Sequence, residues 1–272
     1  IFKHLRELLH GGVGMSKLIT IGMPSYNNYS DVWFTAQCLR VYHDMTDCEI
    51  LIVDNYGDDA LEKWVAHNGA GVIRYVRATE VRGTAPAKNK VFEHAEGEFV
   101  VCVDSHVLLV PGAVDALKKW VRENRDCDAL IHGPMQYDFM GLYIDHMVPK
   151  WQTHMYGVWG PNRSDLPTAP YEIEMMGMGL FACFKDKWLG FNPAFTGFGG
   201  EEGYIHEKYK KFGKKILCLP FLVWVHKFHN QSTPTSYPNV LEERIQNYLL
   251  GFTELGLDLQ PIYDHFGSLV KR

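Results

Sequence analysis

Short apolar runs alternate with segments of helical spacing along the chain, and this alternation constrains the fold more than any other feature of the sequence. Three such runs, ITIGM, EILIV and FVVCV, lie in the first half, and a stretch with a helical apolar period separates each from the next. This order is typical of a largely parallel β-sheet covered by helices. We therefore predict an α/β fold with a mostly parallel central sheet that is flanked by helices.

Each of these three runs ends in polar residues, and two of them end in an aspartate. Pro24, which is expected to break the first strand, is followed by polar residues, Asp54 closes the second run, and Asp104 closes the third. In a parallel sheet the ligand crevice lies beyond the carboxyl ends of the strands, so these clusters are expected to meet at one edge. Polar residues also collect at strand ends because loops begin there, which explains part of the pattern in any α/β protein.

The third run is followed by Asp104, Ser105 and His106. Side chains two positions apart on an extended chain point the same way, so Asp104 and His106 can reach a common point. A carboxylate and an imidazole that converge are candidate ligands for a divalent metal ion. A strand with a polar edge is the alternative interpretation of this tripeptide alone.

The second half of the chain carries less regular patterns. The apolar runs at residues 127–135 and 216–225 each predict one strand. Residues 136–170 mix Met, Trp, Tyr and His with Pro and Gly, which indicates either a functional irregular segment or a β-meander. Further on, two adjacent glutamates follow a glycine-rich stretch at the expected start of a helix, and the Ser-, Thr- and Pro-rich segment 230–239 is predicted to be a mobile loop.

Composition and charge exclude several classes of protein. With 46% hydrophobic and 22% charged residues the chain is expected to fold, and its net charge of -5 gives no overall attraction to nucleic acid or to an anionic membrane. A local basic patch is compatible with this charge. The 6 cysteines are widely spaced and form no CxxC pair, which favours a reducing compartment, and we predict a cytoplasmic protein. No apolar run reaches the ~18 residues of a transmembrane helix, so no membrane association is predicted.

Five motifs follow one another between residues 17 and 230. They are IGMPSYNN, ILIVDNYGDD, RGTAPAKNKVFEHAEGEFVVCVDSH, MGMGLFAC with GFGGEEGYI, and VWVHKF. In this order they resemble the motifs of nucleotide-sugar glycosyltransferases with the GT-A fold, in particular glycosyltransferase family 2 and the polypeptide N-acetylgalactosaminyltransferases. The resemblance implies a GT-A fold and an enzyme that moves a hexosyl or N-acetylhexosaminyl group from a nucleoside-diphosphate sugar, UDP-linked, to a hydroxyl acceptor.

The resemblance assigns the nucleotide-sugar donor to residues of the first three motifs. The first motif would frame the nucleotide base, Asp54 would contact the uracil or the ribose, and Lys88 stands where the family usually has an arginine. Lys88 keeps the charge of that arginine but lacks its planar fork. Arg82 or Lys88 would cap a diphosphate oxygen, with a surface salt bridge as the alternative. The residues predicted to bind the donor are Pro24, Tyr26, Asn27, Asp54, Arg82, Lys88 and Asp104.

The resemblance also implies a metal site. The DSH sequence looks like the Asp-x-His metal motif of the N-acetylgalactosaminyltransferases, and VWVHKF would supply a third ligand. The predicted ligands are Asp104, His106 and His226, and His229 is the rival for the third position. Mn²⁺ is the expected ion because it accepts mixed carboxylate and imidazole ligands, whereas Mg²⁺ prefers oxygen. Another divalent cation such as Zn²⁺ would also accept these ligands.

Glu201 and Glu202 are the predicted catalytic residues, and the resemblance gives them two alternative roles. In the inverting family 2 enzymes the last acid of a Gly-Glu-Asp motif deprotonates the acceptor hydroxyl, and Glu202 occupies that place. In the retaining N-acetylgalactosaminyltransferases the Gly-Gly-Glu region instead shapes the sugar and acceptor pocket. The stereochemistry therefore stays open, and a carboxylate pair that only caps a helix is the non-catalytic alternative.

The resemblance covers most of the chain, so residues 15–272 are predicted to form one GT-A domain. Residues 15–135 would be its nucleotide-binding half, residues 136–240 its acceptor and metal half, and residues 241–272 a C-terminal helical segment. Residues 1–14 would be a cloning remnant or a loosely attached helix.

The motifs do not identify the acceptor. A glycan, a protein side chain, a small metabolite and a hydroxymethylated DNA base all stay open, and the lysine-rich run at residues 208–215 could lie along a phosphate backbone. A non-catalytic module of the same fold that binds nucleotide sugars or glycans is the second hypothesis. A nucleotidyltransferase is the third, and the lack of a basic residue in GMPSYNNYSD argues against it.

Overall fold

The computed structural model describes residues 17–69, 71–137, 141–228 and 237–270. The predictions for residues 1–14, for His229 and for most of the 230–239 segment concern residues outside these ranges. The helices are α1 (Tyr29–Tyr42), α2 (Asp59–Asn68), α3 (Thr84–His94), α4 (Ala113–Glu123), α5 (Glu201–Lys211), α6 (Leu241–Leu255) and α7 (Gln260–Phe266), with 3-10 turns at Lys185–Lys187 and Gly267–Leu269. Within the described ranges, no helix has both the length and the apolar character needed to cross a bilayer.

The strands form one large sheet, one small sheet and a hairpin. They are β1 (Ile19–Ser25), β2 (Cys48–Asp54), β3 (Ile73–Arg77), β4 (Phe99–Val103), β5 (Val107–Leu109), β6 (Leu130–His132), β7 (Met135–Tyr137), β8 (Tyr143–Ile144), β9 (Met147–Gln152), β10 (Met155–Trp159), β11 (Tyr171–Glu172), β12 (Leu180–Phe184), β13 (Ile216–Cys218) and β14 (Trp224–His226). The large sheet has the order β11-β13-β6-β12-β4-β1-β2-β3, the small sheet has the order β5-β14-β7-β8, and β9 pairs with β10 in the hairpin.

The large sheet is mostly parallel. Strand β1 pairs in parallel with β2 and β4, β2 with β3, and β6 with β13, whereas β12 and β11 run antiparallel to their partners. Every residue of β2 and β4 is buried, as expected for parallel strands with helices on both faces. The predicted α/β fold with a mostly parallel central sheet flanked by helices is confirmed.

The sequence predicts that strand β1 breaks at Pro24, but the strand continues for one more residue, to Ser25. Pro24 lies opposite Val53 of β2, but the pairing of β1 with β4 already ends at Gly22. Proline therefore stands where β4 no longer needs a backbone N–H from this strand. The ends of β1 and β4 are consequently not paired, and side chains that follow them have room to face a common space.

Two segments that the sequence predicts as single strands each pass from the large sheet to the small one. Residues 127–135 contain β6 and the start of β7, and residues 216–225 contain β13 and most of β14. Strand β6 pairs in parallel with β13, and β7 pairs in parallel with β14, so the two crossings lie side by side. The indole N–H of Trp224 also donates a hydrogen bond to the carbonyl of Gly133 at 2.7 Å. The crossings are therefore tied to each other.

Strands β7 to β10 occupy most of the described chain between residues 135 and 159. They form two separate antiparallel pairs, β7 with β8 and β9 with β10, rather than one continuous β-meander. The hairpin is held by Trp151, which packs against a hydrophobic cluster built on α6 and α7. The rings that contact Trp151 belong to Tyr156, Tyr248, Phe252, His265 and Phe266. The N–H of Tyr156 also donates to the hydroxyl of Tyr248 at 2.9 Å. The C-terminal helices therefore fix the position of the hairpin.

Helix α3 packs closely on β1 because Gly22 has no side chain. A Cβ atom at Gly22 would lie 2.2 Å from Cγ1 of Val91, far inside van der Waals contact. We expect Gly22→Ala to destabilise the protein by about 1–3 kcal/mol, the usual range for an overpacked core. Val91→Ala should also be destabilising alone, but it should recover part of the loss in the double variant because it removes the clashing methyl groups. Urea unfolding of the wild type and the three variants measures this coupling, and strictly additive losses would contradict the packing.

Candidate functional site

A cavity of about 390 Å³ opens where β1 and β4 end. One part of its wall follows directly from these strands and includes Pro24, Tyr26, Asn28, Asp104 and His106. Another part comes from the hairpin, from the chain before β12 and from the chain before α5, and it includes Met147, Met155, Trp159, Met178 and Phe198. The crevice expected beyond the strand ends is therefore present, with one polar wall and one wall rich in methionine and aromatic side chains.

Asp104, His106 and His226 come together on the polar wall. One ligand atom of each side chain lies within 4.8 Å of the others, a spacing that suits a single metal ion. Asp104 and His106 belong to the turn between β4 and β5, and His226 joins them because β14 pairs antiparallel with β5. The two imidazole rings meet edge to face with their centroids 4.9 Å apart. The structure thus brings the three predicted ligands together, while His229 lies outside the described residues.

Lys88 on α3 is buried beside this cluster. Its Nζ lies 4.0 Å from Oδ1 of Asp104 and 3.3 Å from Oε1 of Glu201. Burial would raise the pKa of the Asp104 carboxyl, but the Lys88 ammonium and the two imidazoles outweigh burial and hold that pKa well below its ordinary range. Burial would likewise lower the pKa of Lys88, but the neighbouring carboxylates, Asp104 first, raise it. Both groups are therefore charged at neutral pH.

The first predicted motif reaches the cavity through Pro24 and Tyr26, but Asn28 occupies the place predicted for Asn27. Asn27 has a left-handed backbone conformation with φ 48° and does not line the cavity. Asn28 does line it, and its amide donates hydrogen bonds to Oγ of Ser105 at 3.2 Å and to a carboxylate oxygen of α1 at 3.1 Å. The turn at position 27 therefore presents the following residue to the cavity, which no local pattern in the sequence indicates.

Asp54 and Arg82, which the sequence predicts to contact the donor, do not line the cavity. Asp54 is fully buried, and its carboxylate accepts hydrogen bonds from three backbone N–H groups of the turn after β2 and from the hydroxyl of Tyr75. Its oxygens are thus occupied by the protein. Arg82 is 71% exposed and forms an ion pair with Glu243. This ion pair is the surface salt bridge that was the alternative to a contact with the diphosphate.

Glu201 and Glu202 begin α5 in different surroundings. Glu201 is buried, its Oε1 accepts hydrogen bonds from the Thr84 hydroxyl at 2.9 Å and from Lys88 at 3.3 Å, and its Oε2 has no partner among the described residues. Glu202 lines the cavity. Burial, and then the adjacent Glu201 carboxylate, raises the pKa of Glu202 to about 7, although the Lys88 ammonium opposes this shift. Of the two predicted catalytic acids, Glu202 is the one that faces the cavity.

A sequence profile described as Glycosyl transferase family 2 matches residues 20–186, more than half of the chain. The chain belongs to glycosyltransferase family 2. The matched residues include the turn that carries Asp104 and His106, and the match confirms the predicted family and the predicted class of enzyme, a glycosyltransferase.

Solved glycosyltransferase structures share the fold of this family 2 chain. GalNAc-T7 with UDP, GalNAc and Mn²⁺ superposes with a TM-score of 0.70 and 15% identity, over 89% of this chain and 48% of that chain. The mannosyltransferase PcManGT from Pyrobaculum calidifontis, with GDP-Man and Mn²⁺, gives a TM-score of 0.55 and 16% identity, over 98% of this chain and 76% of that chain. The predicted GT-A fold is confirmed.

A curated relative of this family 2 chain is the probable N-acetylgalactosaminyltransferase 6 of Caenorhabditis elegans. The two sequences are 23% identical over 230 residues, which cover 77% of this chain. The aligned part is 37% of the nematode protein, so the chain spans little more than a third of that relative's length. The similarity to an N-acetylgalactosaminyltransferase therefore extends beyond the DSH motif to most of the sequence.

Two residues that line the cavity of this family 2 chain, Arg244 and Tyr248, were not predicted from the sequence. They lie one turn apart on α6, which packs against the Gly199–Gly200 turn. A Cβ atom at Gly200 would lie 2.9 Å from Cβ of Asn247, so the glycine allows the helix to approach. In a helical pattern an arginine is expected on the solvent face and a tyrosine in the core. Only the packing of α6 on this turn reveals their position.

Proposed function

We propose that the protein transfers a sugar from a UDP-sugar to a hydroxyl acceptor. We also propose that the reaction depends on a divalent metal ion and that Mn²⁺ is the preferred ion. The observation that carries this proposal is that the Asp104, His106 and His226 cluster and the Glu202 carboxylate open onto one cavity. A sugar transfer needs a group that stabilises the leaving diphosphate and a group that activates the acceptor, both within reach of one sugar. Family 2 membership supports the reaction class, and the UDP and Mn²⁺ of the GalNAc-T7 structure support the donor and the ion.

The ligand cluster fits a divalent ion in number and in kind. One carboxylate and two imidazoles leave positions for diphosphate oxygens and water, and this mixed donor set suits Mn²⁺ better than Mg²⁺. Nδ1 of His226 is buried and has no hydrogen-bond partner among the described residues, so the protein leaves part of this ring unsatisfied. When bound, the ion would act as a Lewis acid that stabilises the charge developing on the leaving diphosphate.

Lys88 would supply a second positive charge at the diphosphate. It lines the cavity, lies 4.0 Å from Asp104 and is held by Oε1 of Glu201. A buried ammonium that is already oriented stabilises developing negative charge without reorganisation during the reaction. Glu201 does not reach the cavity itself, so we assign it a positioning role through Lys88, although the sequence predicts it as catalytic.

Glu202 would be the base that accepts the proton of the acceptor hydroxyl. As the acceptor oxygen bonds to the anomeric carbon, the bond from that carbon to the diphosphate breaks and the hydroxyl proton moves to the Glu202 carboxylate. A base works best when its pKa is close to the working pH, and burial brings the pKa of Glu202 to about 7. This role corresponds to inversion at the anomeric carbon, whereas retention would leave Glu202 as a pocket residue.

Two tyrosines of the cavity wall, Tyr26 and Tyr237, offer a surface for the nucleotide base, and Tyr56 packs against Tyr26. The ring of Tyr26 lies 5.1 Å from that of Tyr56 and 4.5 Å from that of Tyr237, measured between centroids. Tyr26 and Tyr237 line the cavity. Aromatic faces with polar edges suit stacking and hydrogen bonding of a base, and this supports a nucleoside at the β1 end of the cavity.

The proposal predicts slow, metal-dependent hydrolysis of one nucleotide sugar in the absence of acceptor. Purified protein is incubated with UDP- and GDP-sugars, with Mn²⁺ or with a chelator, and released nucleoside diphosphate is measured beside calorimetric binding of the same donors. We expect release from one UDP-sugar to be about 100-fold faster with Mn²⁺, because the ion supplies several kcal/mol to the departing diphosphate. Tight binding without release, also when candidate acceptors are added, would favour the non-catalytic module. No binding of any donor would overturn the proposal.

A further inference from the structure

Arg244 is a buried cation that forms no hydrogen bond or ion pair with a carboxylate of the described residues, although its charge lowers the pKa of the nearby Glu202 against the effect of burial. The side chain begins on α6, lines the cavity and is 6% exposed. Its described partners are two backbone carbonyls and one amide oxygen. Buried charges in proteins are normally paired with an opposite charge, because removing a lone charge from water is costly.

The three hydrogen bonds of Arg244 are long for a charged donor. Nε donates to the carbonyl of Phe198 at 3.4 Å, Nη1 to the carbonyl of His154 at 3.4 Å, and Nη2 to Oδ1 of Asn239 at 3.1 Å. Charge-assisted bonds of a guanidinium to a carboxylate or phosphate are typically ~2.7–2.9 Å. A guanidinium also carries more N–H donors than these contacts use. The geometry therefore leaves Arg244 able to bind an anion.

The guanidinium is held in a fixed place on the cavity wall. Gly199 has φ 94°, and a Cβ atom there would lie 2.4 Å from Nε of Arg244, so a glycine is needed for both the backbone and the close approach. The ring of Phe198 lies 5.4 Å from the central carbon of the guanidinium. A guanidinium fixed by packing presents its planar fork in one orientation, which suits two-point binding of an oxyanion.

Arg244 lies among the elements that surround Glu202 rather than among those that carry the metal cluster. Its partners belong to the hairpin turn at His154, to the chain at Phe198 just before α5, and to Asn239 just before α6. None of them belongs to β4, β5 or β14. An anion on Arg244 would therefore sit on the side of the cavity where an acceptor meets Glu202.

We propose that Arg244 binds an anionic group, a phosphate or a carboxylate, of the acceptor. This inference rests on the proposed function, because it takes the metal cluster to be the place of the donor diphosphate. An acceptor of this class carries its reactive hydroxyl close to an oxyanion, so that the hydroxyl meets Glu202 while the oxyanion meets Arg244. Among the acceptors left open by the sequence, phosphate-bearing or acidic molecules are favoured over neutral glycans.

Small anions test the site without knowledge of the acceptor. The wild type, Arg244→Gln and Arg244→Lys are titrated with dimethyl phosphate, with propionate and with neutral trimethyl phosphate, and tryptophan fluorescence is followed because Trp159 lines the cavity. We expect the wild type to bind at least one anion about tenfold more tightly than the neutral ester, and Arg244→Gln to lose this preference. Arg244→Lys should recover part of it, since it keeps the charge but not the fork. The preferred anion distinguishes a phosphate from a carboxylate.

Each titration is repeated with saturating UDP and Mn²⁺, and UDP binding is measured in the same samples. Equal anion affinity in the wild type and Arg244→Gln would overturn the proposal, and so would anion binding that disappears when UDP and Mn²⁺ are bound. Anion binding by a chain that does not bind UDP would overturn the proposed function instead. Arg125→Gln is the matched control because it removes the same charge from a surface pair with Glu98, and thermal unfolding of every variant detects loss of the fold.

Discussion

Replacing His106 with alanine should remove most metal-dependent turnover and leave the fold intact. The variant loses one of the three proposed ligands, and an ion at the diphosphate contributes several kcal/mol to a transfer of this kind. We therefore expect donor turnover to fall by about 100-fold or more. His106 is only partly buried and lies outside the hydrophobic core, so its loss should hardly change the free energy of unfolding.

The measurement is release of UDP together with a calorimetric titration of Mn²⁺ in the presence of UDP. Asp104→Asn should lower the Mn²⁺ affinity at least as strongly, because it removes the negative charge that faces the ion. His67→Ala is the matched control, since it removes an exposed histidine of α2. Wild-type turnover and Mn²⁺ affinity in His106→Ala would rule out the assignment of this cluster.

Replacing Glu202 with glutamine should lower the rate of transfer to the acceptor by roughly 100- to 10,000-fold, the range expected for loss of a general base. The amide keeps the size of the side chain but cannot accept the proton of the hydroxyl. Because Glu202 is not a proposed metal ligand, the affinity for UDP with Mn²⁺ should stay close to that of the wild type. Full transfer activity in Glu202→Gln would exclude the base role.

The same residue predicts the pH dependence of transfer. Burial, with the Glu201 carboxylate beside it, raises the pKa of Glu202 to about 7. Only the deprotonated form accepts a proton, so the rate should fall as the pH falls through about 7 and should level off above it. This dependence should disappear from the residual activity of Glu202→Gln and persist in Glu207→Gln, the matched change on α5. An unchanged pH profile in Glu202→Gln would place the base elsewhere.

The polar edge of the sheet could be predicted because its signals are local. Apolar strands followed by polar residues identify the strand ends, and the alternation of side chains on an extended chain places Asp104 and His106 on one side. His226 is different, because it reaches the cluster only through the pairing of β14 with β5. No local pattern specifies that pairing, so the motif resemblance alone pointed to His226.

Two residues that the sequence predicts at the donor, Asn27 and Asp54, lie outside the cavity lining for related physical reasons. Asn27 and Asp54 stand at the predicted strand ends, but the turns that follow β1 and β2 decide which side chains reach the cavity. After β1, the positive φ of Asn27 directs the side chain of Asn28 into the cavity instead. After β2, the backbone N–H groups of the turn donate hydrogen bonds to both carboxylate oxygens of Asp54. Arg244 escapes sequence analysis for a related reason, since its contact with Gly199 joins distant parts of the chain. Residue spacing and composition do not specify turn geometry or long-range packing, so they could not predict which of these side chains line the cavity.

The side-by-side crossings between the two sheets have a mechanical consequence for the metal cluster. Asp104 and His106 lie in the turn that leads from β4 of the large sheet to β5 of the small sheet, and His226 ends β14 of the small sheet. The ligand cluster therefore lies at the boundary between the large sheet and the small sheet, which have separate hydrogen-bonding networks. A bound ion would connect the two sheets. Any movement of one sheet relative to the other would change the distances between the three ligands. A substitution at Gly133, which does not line the cavity and where a Cβ atom would lie 1.8 Å from the Leu222 carbonyl oxygen, would therefore push the two crossings apart and shift the ligands without replacing any of them.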